Sequence, residues 1–446
     1  MPAVVVDSVL ESIRECAFKI AGETEDFDPL LDMIGDAQFV LLGEASHGTH
    51  EFYRTRAQLT RRLIEEKNFN AVAVEADWPD AYRVNHFVRH TGDDPNAERA
   101  LAGFQRFPTW MWRNSDVVEF IEWLRIRNAS LDPKKRAGFY GLDLYSLNAS
   151  IEAVLKYLDK VDPEAAKRAR HRYACFEHYG EDTQGYGYAA SVGLTEPCER
   201  YVVNQLVEMQ RKAMEFERRG GRMGEDEFFF AEQNARLVKN AEEYYRSMFR
   251  GRVDSWNLRD RHMVETLRAL VAHLDRDVKR PKIVLWAHNS HLGDARATQM
   301  THRGEWNVGQ LLRERYGGAA VLIGFTTFSG TVTAASDWGA PAERKRVRRA
   351  LADSYERLFH ETELGNFYLL LKNGEVSQYI RRERLERAIG VIYLPESERI
   401  SHYFDAFLPG QFDAVIHFDE TSAVEPLEPT AQWVSGESPE TFPSGI

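Results

Sequence analysis

Apolar residues along this chain gather into short unbroken runs of strand length, and amphipathic helical stretches separate most of them. The runs are Phe39 to Leu42, Ala71 to Val74, Gly138 to Leu142, Ile283 to Trp286, Ala320 to Phe325, Phe367 to Leu371, Val391 to Leu394 and Ala414 to Phe418. Continuous rather than alternating runs predict strands covered on both faces. Helical patterns over Thr55 to Glu66 and Val117 to Asn128 lie among them. The alternation predicts an α/β protein with a mostly parallel central sheet flanked by helices. Val9, Leu10, Ile13, Ala17 and Ile20 predict a lead-in helix over residues 7 to 20, and Asp28-Pro29 opens a short helix through Ile34. Thr331 and Thr333, after a Ser329-Gly330 turn, predict one polar-faced antiparallel strand.

Between the third and fourth strands the pattern changes. Residues 148 to 275 are charged and rich in helix formers, with helical stretches at Ile151 to Leu158, Pro163 to Phe176, Val202 to Arg218 and Asp226 to Met248. This predicts a large helical insertion, broken near Gly180 to Gly193 and at Gly220-Gly221. Tyr186-Gly187-Tyr188 reads either as a turn or as a loop over a site. The organisation that follows is a first part of the α/β core over 1–147, the insertion over 148–275, a second part of the core over 276–426, and a poorly ordered tail over 427–446 carrying Pro429, Pro439 and Pro443.

Composition narrows the partners. The net charge of -12 argues against a nucleic-acid surface, which needs a clustered positive field. The basic run Arg344 to Arg349 reads as a solvated helix face. Cys16, Cys175 and Cys198 form no CxxC and predict neither a disulfide framework nor a thiolate metal site. No stretch approaches the roughly 18 apolar residues of a membrane span, and the first residues lack the pattern of a signal peptide. A reducing, cytoplasmic setting is the expectation. Oligomeric state leaves no mark on the sequence.

Chemistry gathers where the strands end. The first run leads into Gly43-Glu44-Ala45-Ser46-His47-Gly48-Thr49. The second ends in Glu75, with Asp77 close behind, and the third ends in Asp143. The fourth leads into Ala287-His288-Asn289-Ser290-His291. Parallel strands open their carboxyl ends on one edge, so these groups can meet in one crevice. Packing alone gives no reason for the repetition. Each residue has a bland alternative: Glu75 as a buried structural carboxylate, Asp143 as a cap, His288 as a packed core histidine. His86, His171, His273 and His360 lack a strand context and receive no role.

Positive charge has two sources. Arg56 lies two turns into the helix after the His47 loop, with Arg54 as its competitor on another face. Arg259 comes from the insertion. Trp110 and Trp112, in the turn-like Phe107 to Trp112 segment, either wall a pocket or pack in the core. There is no G-x-S-x-G elbow, Walker A loop, G-x-G-x-x-G or H-E-x-x-H, and Ser46 is a weak nucleophile beside His47, which leaves water.

Together these motifs resemble the erythromycin esterase family. The likeness rests on Gly43 to Thr49 with Glu51-Phe52, on Ala73-Val74-Glu75, on Gly141-Leu142-Asp143 and on Ala287 to His291, in matching order over roughly residues 30 to 325. It implies a metal-independent hydrolase without a cofactor, acting on a small-molecule ester or lactone. It also implies that His47 is the general base, with Glu44 and Glu75 as active-site glutamates, Arg56 as the family's arginine and His288 and His291 as its later histidines. Substrate identity does not carry over.

The leading expectation is therefore a water activated by His47, with Glu44 or Glu75 holding the imidazole and Arg56 and His288 facing the oxyanion. His291, Asp143, Arg259, Trp110 and Trp112 are expected to contact substrate. Two rivals use the same residues: a metallohydrolase binding zinc or manganese through the Glu and His cluster, and a non-catalytic binding protein.

Overall fold

Successive residues of a strand point to opposite faces, and here both faces are covered. Phe39, Leu41, Ala71, Ala73, Ile283 and Leu285 join one apolar core, while Val40, Leu42, Val72, Val74, Val284 and Trp286 join a second. That double burial is why the sequence shows continuous runs instead of alternation. The computed structural model describes residues 3–372 and 374–436, apart from the side chains of 3–7 and 214–223.

The strands are β1 (Phe18–Lys19), β2 (Phe39–Leu42), β3 (Ala71–Asp77), β4 (Gly138–Asp143), β5 (Ile283–Trp286), β6 (Ala320–Ala334), β7 (Glu343–Val347), β8 (Phe367–Leu370), β9 (Arg384–Arg387), β10 (Tyr403–Ala406) and β11 (Ala414–Thr421). The main sheet runs β4-β3-β5-β2-β6-β11-β8-β1, with β7 paired to the far end of β6. Its centre is parallel: β3 pairs with β4 and β5, β2 with β5 and β6, and β11 with β6. The β8, β1 and β7 pairings are antiparallel, and β9 and β10 form a separate hairpin-like pair.

Helices Asp28–Ile34, His50–Glu66, Trp78–Val88 and Ser115–Ala129 contribute to the second core. The first core takes residues from Leu147–Val161, Pro163–Tyr173, Glu199–Arg211, Ala213–Ser247 and Arg252–Leu274, so the helical stretch between β4 and β5 shares a core with the sheet.

Several expectations change. The lead-in helix spans Ala3–Cys16, and residues 18–19 form β1 instead of its last turn. The break expected at Gly220-Gly221 falls at Lys212. Tyr186-Gly187-Tyr188 is neither turn nor lid. It belongs to helix Thr183–Ser191, where Tyr186 is buried and donates its hydroxyl to Glu242. Ser329-Gly330 continues β6 without a turn.

Residues 344–347 of the basic run form a strand, not a helix face. In β7, Lys345 and Val347 are buried and Lys345 Nζ reaches the Tyr393 carbonyl at 3.1 Å, so the charges follow a two-residue period. Val391 to Leu394 makes only an isolated bridge through Ile392; its apolar character serves a small cluster in which Tyr393 packs with Val332, Ala334, Val347 and Ile389.

Cys175 and Cys198 form a disulfide with a Cα–Cα distance of 6.0 Å, although the cysteine pattern predicts no disulfide framework, and Cys16 is free. Spacing could not reveal the pair, because it closes a turn onto the start of helix Glu199–Arg211. Part of the supposed tail is ordered: Ala431–Ser435 is helical and Trp433 Nε1 donates to Thr333 Oγ1 at 2.7 Å. Residues 437–446 lie outside the described residues. No described helix is long and apolar enough to cross a membrane.

Candidate active site

The carboxyl ends of β2, β3, β4 and β5 open on one edge of the sheet, as parallel strands require, and Glu44, His47, Glu75, Asp143, His288 and His291 gather there. Backbone contacts fix the loop after β2. Asn289 donates its N–H to the Glu44 carbonyl at 2.8 Å, and the Gly48 carbonyl accepts from Thr333 at 3.0 Å and Val424 at 2.9 Å. Gly43 and Gly48 permit this approach. A Cβ on Gly43 would strike the Asn289 side chain, and one on Gly48 would strike the Thr333 carbonyl.

His47 Nδ1 lies 2.9 Å from Glu44 Oε1. An ionised carboxylate can only accept, so Nδ1 carries the proton and Nε2 is left as the basic nitrogen. Glu44 Oε2 lies 2.7 Å from Arg56 Nη2, and both side chains are 1% exposed. Tyr53 donates its hydroxyl to the His47 carbonyl at 2.8 Å, and its ring lies 4.5 Å from the Arg56 guanidinium. Arg54 is exposed, whereas Arg56 is the arginine that reaches Glu44. Arg56 stands behind Glu44, between Tyr53 and Trp286, and does not line the cavity. The expectation that it faces the oxyanion fails.

Glu75 is organised differently from Glu44. Its Oε1 lies 2.7 Å from Arg259 Nη2, and its Oε2 accepts the His288 backbone N–H at 2.9 Å. Burial alone would raise its pKa, but His291, Arg259 and His47 hold the carboxylate far below the usual range. Arg259 grips Asp143 with two parallel bonds of 3.0 and 2.6 Å. Burial raises the Asp143 pKa, and Arg259 more than reverses the effect.

His291 is clamped rather than free. Its Nδ1 lies 2.9 Å from Asp260 Oδ2, Trp256 stacks on the ring at 4.5 Å, and Nε2 lies 3.1 Å from Arg259 Nη1 and 3.4 Å from Glu75 Oε1. Gain or loss of the Nε2 proton thus exchanges its partner between carboxylate and guanidinium. Burial lowers the His291 pKa, but Asp260 and Glu75 raise it overall. His288 is held neutral: burial, with His47 and His291 nearby, pushes it down to about 3. Its ring centroid is 5.0 Å from that of His47, and its Nδ1 accepts the Ser290 N–H at 3.2 Å.

A cavity of about 180 Å³ opens at this edge, lined by His47, Glu75, Asp143 and Arg259 together with Asp77, Asp80, Arg106, Phe107, Trp112, Tyr145 and Trp338. Trp112 takes the pocket-wall reading and Trp110 the core reading, since Trp110 is buried away from the lining. His288 and His291 are likewise buried behind the cavity wall. Sequence reasoning gave no role to Arg106, Asp80, Tyr145, Trp338 or Asp260. Tyr145 follows Asp143 by two residues and was findable as part of the same strand end.

Among the described residues no three His, Cys, Asp or Glu side chains converge as a metal site. Glu44, Glu75, Asp143 and Asp260 are each spent on a cation or imidazole within the protein.

A family model for erythromycin esterase matches residues 64–421. The chain belongs to the erythromycin esterase family. It is 22% identical to erythromycin esterase type II of Escherichia coli over 419 residues, covering 90% of this chain and 94% of that protein. It is also 22% identical to the putative hydrolase YbfO of Bacillus subtilis (strain 168) over 334 residues, 70% of each. A crystal structure of a succinoglycan biosynthesis protein shares the fold, with a TM-score of 0.77 at 22% identity over 95% of this chain and 100% of that one. A mutant of the erythromycin esterase EreC in its open conformation superposes with a TM-score of 0.67 at 18% identity, covering 93% and 97%. Membership in the erythromycin esterase family supports a hydrolase.

Proposed function

We propose that this protein hydrolyses a small-molecule ester or lactone through a water molecule activated by His47. One arrangement carries the reading: an imidazole on the cavity wall whose Nδ1 is bound to Glu44, itself held by Arg56. Water gives its proton to His47 Nε2 as its oxygen attacks the carbonyl carbon, and Glu44 stabilises the imidazolium that forms. The same proton then passes to the leaving oxygen as the tetrahedral intermediate collapses. The cations on the cavity wall are Arg106 and Arg259, so stabilising the oxyanion falls to them in place of Arg56 and His288. Glu75 keeps Arg259 oriented. These steps use no metal, and Glu44, Glu75, Asp143 and Asp260 are each paired with a cation or imidazole of the protein.

The test is a panel of ester and lactone substrates with His47→Asn as matched control, run before and after exhaustive chelation. A loss of roughly 10²–10⁴-fold in kcat is expected for the variant, and full turnover is expected from chelated enzyme. Unchanged turnover in folded His47→Asn ends this reading.

A further inference from the structure

Resting on that reading, we infer that the cavity contains a cation subsite, in which Asp77 and Asp80 hold an amine or quaternary ammonium group of the substrate against Phe107, Trp112 and Trp338. The charge balance of the wall points to it. Four carboxylates line the cavity, those of Glu75, Asp77, Asp80 and Asp143, against the guanidinium groups of Arg106 and Arg259. Behind the wall Glu44 is paired with Arg56 and Asp260 with His291, so neither pair supplies a free cation to offset the excess.

The excess is localised. Arg259 serves Glu75 and Asp143. Arg106 serves Asp77 through Oδ2 at 2.8 Å, while Asp77 Oδ1, on a side chain only 5% exposed, has no hydrogen-bond partner among the described residues. The Asp80 side chain makes no ion pair or hydrogen bond among the described residues. It lies in the first turn of helix Trp78–Val88, whose N-terminus offsets part of its charge. Burial and Asp77 nevertheless push its carboxyl up to about 7, against the pull of Arg106 and Arg83. Asp77, buried with one oxygen lacking a hydrogen-bond partner among the described residues, and the half-buried Asp80 thus form a carboxylate pair that a cationic ligand would relieve.

The aromatic surface fits the same ligand. Arg106 and Arg259 already occupy the face of Tyr145 at 4.6 and 4.9 Å, but among the described residues no cation stands over the rings of Phe107, Trp112 and Trp338. Trp338 is 56% exposed at the cavity, edge-on to Phe107 at 5.0 Å. Aromatic faces attract a desolvated ammonium group, most strongly where indole is present. An anionic substrate would meet repulsion here.

The experiment compares choline with its neutral carbon isostere, 3,3-dimethylbutan-1-ol, by calorimetry on the intact protein, and the corresponding acetate esters by kcat/KM. Choline is expected to bind at least tenfold more tightly than the isostere. Asp80→Asn should cut that preference below threefold, and Asp80→Glu should retain it. Equal affinities in the native protein, or a preference that survives both Asp80→Asn and Asp77→Asn, overturn the subsite. Choline preference without any ester turnover supports the subsite and removes the hydrolase reading. Turnover without the preference does the reverse.

Discussion

Arg56 Nη2 lies 2.7 Å from Glu44 Oε2, the carboxylate oxygen that His47 leaves free, with neither side chain more than 1% exposed. The arginine is thus a counterion to the group that orients the base. Removing one member of a buried pair strands the other charge, which typically costs about 3–5 kcal/mol. Arg56→Met should lose stability on that scale in urea titrations, and Glu44→Gln/Arg56→Met should recover a substantial part. If the double variant is no more stable than the single, Arg56 matters through its packing on Tyr53 and Trp286 rather than through its charge.

Spacing told where Arg56 sits along the chain but not how deep. Twelve residues after Glu44 placed it near the strand end, and its position behind the carboxylate depends on how helix His50–Glu66 packs on Trp286. The clustering of Glu44, His47, Glu75, Asp143 and His288 was legible because parallel strands share an edge and their interiors tolerate no polar residue. Arg106 and Trp338 were not legible, since they reach the cavity from segments with no strand end to mark them. The charges of Arg344 to Arg349 hid a strand because a long stem lets Lys345 bury its methylenes while Nζ finds a carbonyl.

Gly48 follows the proposed base directly, and its missing Cβ is what lets the loop lie on Thr333. Gly48→Ala forces two backbones apart, for which about 1–3 kcal/mol is the usual cost of overpacking. His47 should move with the loop, so kcat should fall together with the urea midpoint. Gly390→Ala is the control: its added methyl group meets nothing within 4 Å, and its midpoint should not move.

Asp260 accepts from His291 Nδ1 and from the Val308 backbone N–H, both at 2.9 Å, and is a positioning residue. Its charge offsets the burial that would otherwise drive the imidazole to its neutral form. Asp260→Asn should move the His291 titration to lower pH, read from the imidazole C–H resonances, and shift the pH profile of kcat. A fall in kcat with an unmoved titration would mean that Asp260 acts only through the backbone of Val308.

His288 makes the protein's stability depend on mildly acidic pH. Its folded pKa is depressed to about 3, whereas the unfolded chain titrates near 6.5. Below pH 6.5 the unfolded state takes up a proton that the folded state refuses. Its contribution is intact above that value and is lost as pH falls from 6.5 toward 3. Between pH 7 and pH 5 the single group should remove about 2 kcal/mol. His262, pushed down to about 4 by burial, adds a slope of the same sign in native protein and variant alike. The difference between native protein and His288→Gln in urea at the two pH values therefore isolates His288. The variant, less stable at pH 7, should lose about 2 kcal/mol less over the interval. Equal losses would mean that His288 takes up its proton in the folded protein as readily as in the unfolded chain, and a charged imidazole 5.0 Å from His47 would weaken the base itself.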